Sequence, residues 1–272
     1  KSPLKSPLKK TSAPSPKTLR PSASLVSTLS VLSSSSLPPG LLSSILLGLP
    51  NMSPSDVRIL LDCIGFKWTS VKQPLFNVTD AMVSIVEKVV TVEAVRCCRK
   101  IELEDSNKVF KAAVSNITAD ECGLEEILEI MEWAEELDFG LGLEPAKYVK
   151  LLQERVSGLG TSFATRLKGN LGSASPANSI LSLNVIEGLG GDWLSRNASL
   201  FNAICKLVYD ITTRTTNLEK REDICIVEVG LECLKHVAKN DDFRGRVGKT
   251  WEELIKTVSE IRGNDSWMML LL

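Results

Sequence analysis

The side chains best suited to chemistry in this chain are its one histidine and its seven cysteines. Their spacing argues against a shared site. His236 follows Cys233 by three residues and Cys225 by eleven, in a stretch with helical periodicity. Zinc needs about four ligands within about 2.3 Å, whereas Cys225 and His236 stand about 16 Å apart along a helix. Cys97 and Cys98 are adjacent, so they point to different faces of a helix and do not make a redox pair. Cys63, Cys122 and Cys205 fall mostly on apolar positions, and the odd total reads as buried free thiols in a reducing compartment. A single imidazole also limits general acid–base chemistry.

Two glycine-bearing stretches fail in the same way. Gly248-Lys249-Thr250 ends like a phosphate-binding loop, but that pattern needs a glycine where Phe243 stands, and no strand precedes it. Gly188-Leu189-Gly190-Gly191 follows a helical stretch instead of opening one, so it reads as helix termination and not as a dinucleotide fingerprint. Glu125, Glu126, Glu129, Glu132, Glu135 and Glu136 lie at the spacing of a solvated helix side. These residues point to no catalytic role, no cofactor and no metal.

The elements that carry these residues are helices. Ile224, Val227, Leu231, Leu234 and Ala238 follow a 3-4-3-4 spacing. Ile226, Val229, Cys233 and Val237 run beside them, which gives an apolar arc wide enough for neighbours on two sides. Trp251, Leu254, Ile255, Val258 and Ile261 make a narrower stripe. Sliding the sequence along itself sets Leu183, Val185, Ile186 and Leu189 against Leu231, Cys233, Leu234 and Val237 at an offset of 48. Phe201, Ile204, Cys205, Val208 and Ile211 fall 50 residues before the second stripe. A buried helix and then a flatter one, recurring near 50 residues, is the mark of a stacked helical repeat. The segment VEVGLECLKHVAKNDDFRGRVGKTWEELIKTV resembles an armadillo repeat, and the resemblance covers residues 176–262. It implies a right-handed stack of antiparallel helix pairs, armadillo- or HEAT-like, that binds a protein along its groove.

Further signals place the remaining elements. Residues 1–37 are rich in Ser, Pro and Lys and too poor in apolar residues for a core, which predicts a disordered tail. Residues 38–52 contain LLSSILLGL, too short for a bilayer and read as a short docking helix or linker. An all-α domain is expected over 53–272. Ser53-Pro54 caps its first helix, and Gly65 ends it. A helix from Thr79 runs on to about Arg99, and a capping box at Thr118 and Glu121 opens the next but one. Residues 158–175, Gly- and Ser-rich around a short helical piece, predict a soft boundary or mobile loop, and Ser175-Pro176 caps the first repeat helix.

Net charge is −1, but the six basic residues of 1–55 meet no acidic one, which leaves 26 basic against 33 acidic residues, or −7, for the body. Ser2 and Ser6 each stand in Ser-Pro-Leu-Lys, and Ser15 precedes Pro16-Lys17, which resembles sites of proline-directed kinases; phosphate there would cancel the tail's charge. The acid-free start also resembles an organellar transit peptide, but the tandem KSPL and the prolines favour the cytoplasm or nucleus. The expected function is a non-enzymatic adaptor for another protein or an extended peptide. With Phe201 set on Trp251, the outward residues Asn202, Lys206 and Asp210 match Glu252, Lys256 and Glu260, two polar rows suited to a peptide of mixed charge. The alternative is a nucleic-acid- or microtubule-associated protein held through the tail by weak polyanion contact.

Overall fold

A computed structural model describes residues 39–68, 78–118, 122–142, 146–214 and 220–239, with isolated positions from 245 to 256. The regular elements among the described residues are all helices, without a strand. In chain order the helices are α1 (Pro39–Gly48), α2 (Pro54–Trp68), α3 (Thr79–Lys88), α4 (Val92–Cys98), α5 (Leu103–Ser115) and α6 (Leu124–Gly140). They continue as α7 (Lys147–Gly158), α8 (Gly160–Leu171), α9 (Pro176–Leu189), α10 (Gly191–Ser195), α11 (Ala198–Arg214) and α12 (Arg221–Ala238). A 3-10 turn, Leu49–Asn51, joins α1 to α2. The expected tail, with Ser2, Ser6 and Ser15, lies outside the described residues.

Several boundaries follow local chemistry. The Ser53 hydroxyl accepts the Asp56 N–H at 3.2 Å, capping α2 ahead of Pro54. That helix runs past Gly65 to Trp68. α1 covers most of the LLSSILLGL stretch, with Leu42 and Leu46 fully buried. The Lys88 ammonium ties its following turn to α3 by donating to the carbonyls of Pro50 and Met52.

Three expectations are corrected. The helix from Thr79 does not run unbroken to Arg99: Val89 turns extended, and Thr91 Oγ1 accepts the Ala94 N–H at 3.1 Å to open α4. Three consecutive β-branched residues, Val89, Val90 and Thr91, weaken the helix there. Thr118 does not cap the acidic helix, because α6 opens at Leu124 with Gly123 in the cap position. Residues 158–175 hold α8, whose Phe163, Leu167 and Leu171 are buried in the common core, so the glycine-rich stretch is packed structure. Ser175 stands at the cap of α9 but makes no side-chain cap bond; Pro176 at the first turn supplies the start.

The packing is serial. α2 lies on α4, α4 on α6, α6 on α9, and α9 on α12. α8 lies on α11, and α11 also packs on α12. From α6 onward the helices in the first row recur every third element. The sequence offset of 48 therefore superposes two helices that touch: the Cys233 thiol of α12 donates to the Leu183 carbonyl of α9 at 3.6 Å. The wide apolar arc of α12 is accounted for by α9, α10 and α11 around it, with Leu234 at 1% and Leu231 at 8% exposure.

Glycine permits a close approach between two of these helices. A Cβ on Gly230 would stand 2.7 Å from Val208 Cγ2, where α12 meets α11. Aromatic rings fill the centre. Phe110 of α5 meets Trp133 of α6 edge-on at 5.0 Å and Tyr148 of α7 at 5.2 Å.

Candidate functional site

α9 ends at Gly190, whose φ of 81° stops the helix and turns the chain into α10. The next residue, Gly191, lies so close to the end of α12 that a Cβ there would stand 2.2 Å from the His236 carbonyl oxygen. This junction forms the floor of a cleft of about 940 Å³. One wall is the outer face of α7, with Lys150, Gln153 and Glu154. The other walls are Asp192, Trp193 and Arg196 around α10, and His236 and Lys239 at the end of α12.

The cleft carries charges of both signs on a lining that is more apolar than polar. Lys150, Glu154, Asp192, Arg196 and Lys239 are all exposed, and none forms an ion pair with another described residue. Trp193 supplies an apolar side, packed edge-on against Phe163 at 6.3 Å and only 6% exposed. Exposed cations, carboxylates, an amide and one aromatic edge suit a peptide backbone with side chains of both signs.

A contrasting hollow of about 200 Å³ lies between α4 and α6, against Arg96, Glu125, Glu129 and Glu132. Glu129 accepts from Arg96 at 2.6 Å and from Arg99 at 2.9 Å, and Arg99 also pairs with Glu132 and Glu136. Burial would lower the Arg99 proton affinity, but the surrounding carboxylates, Glu136 foremost, reverse that and raise it. This side of α6 is an internal electrostatic seam as well as a solvated face. Periodicity alone left Arg96 and Arg99 unassigned, although they lie on and at the C-terminal cap of the helix that packs against it.

Four of the described cysteines, Cys97, Cys98, Cys122 and Cys233, are shielded. Burial pushes the Cys97, Cys98 and Cys233 thiols up, and Cys122 up to about 12 with help from Glu126 and against the pull of Arg166. Cys97 and Cys98 are both fully buried, so pointing to different helix faces does not bring either to solvent. Among the described residues, no three His, Cys, Asp or Glu side chains converge where a metal ion could sit. No described helix is long and apolar enough to cross a membrane.

The residues singled out from the sequence are partly described. Asn202 and Lys206 are exposed on α11. Asp210 is half-buried and faces Arg214 at 3.5 Å one turn on. Glu252 and Lys256 are helical and exposed, and Glu260 lies outside the described residues. The cleft residues Lys150, Arg196 and Lys239 carried no sequence signal of their own; the Gly190-Gly191 pair was the only visible trace, since two glycines beyond a helix permit a close backbone approach. No protein-family profile matches the chain, and no curated protein or solved structure does so either.

Proposed function

We propose that this chain is a non-enzymatic adaptor: an armadillo- or HEAT-like stack of helices that holds an extended protein segment. The observation that carries the reading is the cleft at the α7, α9–α10 and α12 junction, where five charged side chains of both signs line one concavity without pairing among themselves. Surface charges on helical proteins commonly pair along a helix; charges held apart across a cleft between helices are available to a ligand. From α6 onward the contacts at every third helix, α6 on α9 and α9 on α12, support the stack, as expected where successive units bury their apolar faces on each other.

The polar rows on α11 and beyond, Asn202, Lys206, Asp210, Glu252, Lys256 and Glu260, offer a second seat for the same kind of peptide. Charge reversal distinguishes the two. Lys150→Glu with Arg196→Glu removes binding if the cleft is the seat, and Lys206→Glu with Lys256→Glu removes it if the rows are. A cytoplasmic or nuclear setting fits the shielded free thiols.

The basic residues of 1–55 favour a second reading, attachment to nucleic acid or a microtubule surface. Polyanion binding through those residues falls steeply with salt. Binding in the cleft persists at salt concentrations that abolish the tail's contribution.

A further inference from the structure

An exposed apolar patch lies where α5 begins and α6 ends. Phe139 is 91% exposed, Leu103 43% and Leu141 39%. Leu103 joins the two helices, since its Cδ1 would stand 3.2 Å from a Cβ on Gly140, between Phe139 and Leu141. Phe139 buries almost nothing, so folding does not explain a phenyl ring there. Single exposed apolar residues are ordinary, but a cluster of this kind with a polar rim marks an interaction surface.

The rim is acidic. Glu102, Glu104 and Asp105 flank Leu103, and Glu135 lies one turn before Phe139 on the same helix side. All four are exposed, and none forms an ion pair with a described residue. Glu136 is engaged by Arg99. The nearby cations are half-buried Lys100, exposed Lys147, whose ammonium rests 5.7 Å over the Tyr148 ring, and exposed Lys108, which acts on Asp105 but is paired with Asp80. Four rim carboxylates and Asp80 against Lys100, Lys108 and Lys147 leave this surface at −2.

A ligand for this surface needs apolar anchors among positive charges and no acid. Residues 1–10, KSPLKSPLKK, have that composition: Leu4 and Leu8 among Lys1, Lys5, Lys9 and Lys10. We infer that the Leu103–Phe139–Leu141 patch docks this chain's own residues 1–10, and that phosphorylation of Ser2 and Ser6 releases them. Leu4 and Leu8 cover the apolar centre, and the lysines meet the rim carboxylates. Each phosphate adds about −1.5 to −2 charges. Two of them cancel most of the +4 and set phosphate against carboxylate.

Tethering makes a weak contact sufficient. Residues 11–38, 28 in all, separate the segment from α1 and reach up to about 90 Å at ~3.3 Å each. A tether of this kind gives an effective concentration on the order of 1 mM, so a contact with a Kd of about 0.1 mM is closed about nine-tenths of the time.

The test uses the full chain under limited trypsin, with the rate of cleavage after Lys9 and Lys10 followed by mass spectrometry. A free peptide of residues 1–20, with and without phosphate, supplies the intrinsic rates. In the wild-type chain these cuts are expected about tenfold slower than in the free peptide, at a rate independent of chain concentration. Phe139→Ser, Glu104→Lys with Glu135→Lys, and phosphorylation at Ser2 and Ser6 should each restore the free-peptide rate. Phe139→Ser should leave the melting temperature unchanged, because the ring is exposed. Equal cleavage rates in the wild-type and Phe139→Ser chains overturn the proposal. Protection that disappears on dilution overturns it as well, by assigning the contact to a second copy of the chain.

Discussion

The Asp138 carboxylate, buried in the last turn of α6, accepts the Tyr148 backbone N–H at 3.0 Å from each of its oxygens. It also takes the N–H groups of Lys147 at 2.8 Å and Val149 at 3.0 Å. One side chain thus caps the start of the next helix from across the hairpin, where Ala146 at the cap position has no side-chain acceptor. This fixes the orientation of α7, and α7 is one wall of the cleft.

Replacing that acceptor should loosen the wall. Asp138→Ala leaves several donors of the first turn without a partner and is expected to cost about 2–3 kcal/mol, more than an ordinary cap because the bonds are charge-assisted and buried. Asp138→Asn keeps one acceptor oxygen and should cost about 1 kcal/mol. Urea denaturation of the pair measures both values, and equal stability of the alanine variant and wild type would refute the capping role.

The close helix contacts make opposite predictions at two neighbouring glycines. At Gly191 an added methyl meets the His236 backbone at 2.2 Å, and neither backbone can yield without moving α12. At Gly188 it meets Met131 Sδ at 2.7 Å, the far part of a flexible side chain. Gly191→Ala should therefore destabilise by about 3 kcal/mol or more. Gly188→Ala should stay within about 1 kcal/mol, its strain offset by better helix propensity. Leu234→Ala, in the same contact region, should cost about 2–5 kcal/mol. Thermal melts order these three variants.

Burial of thiols predicts a pH limit. Raised folded-state values mean that the native protein holds the proton where the unfolded chain releases it near pH 8.5. Stability from this source is complete below about pH 8.5 and is lost as pH rises toward about 12, the value for Cys122. At pH 8, half-buried Cys205 and Cys225 should react with iodoacetamide well before Cys97, Cys98, Cys122 and Cys233. Simultaneous labelling would mean that these thiols are not enclosed as described.

Periodicity made α9 and α12 legible because each buries a wide apolar arc, and the equivalence of Leu183 with Leu231 reflects two helices stacked in the same role. α8 showed only as a short helical piece in a Gly- and Ser-rich stretch, because Gly160 and Gly169 lower its local propensity, while tertiary burial of Phe163 and Leu167 holds the full helix. The break at Val89–Thr91 was hidden because the apolar spacing of α3 continues smoothly into α4. The cleft could not be read from any window. Lys150, Arg196 and Lys239 each look like an ordinary charged helix residue, and only the approach of Gly191 to His236 brings their helices to one concavity.

The most direct test of the adaptor reading is peptide selection on the full chain, followed by anisotropy titration of the selected peptides against charge-reversed variants. Selection draws on extended peptides bearing side chains of both signs, at about 0.15 M salt to screen long-range attraction. Lys150→Glu with Arg196→Glu should weaken the selected peptides by about 100-fold, with the melting temperature within a few degrees of wild type, because surface changes rarely exceed about 0.5 kcal/mol in stability. Lys206→Glu with Lys256→Glu should weaken them less than threefold. A library that yields no binder, or binders whose affinity survives both double reversals unchanged, would contradict the account.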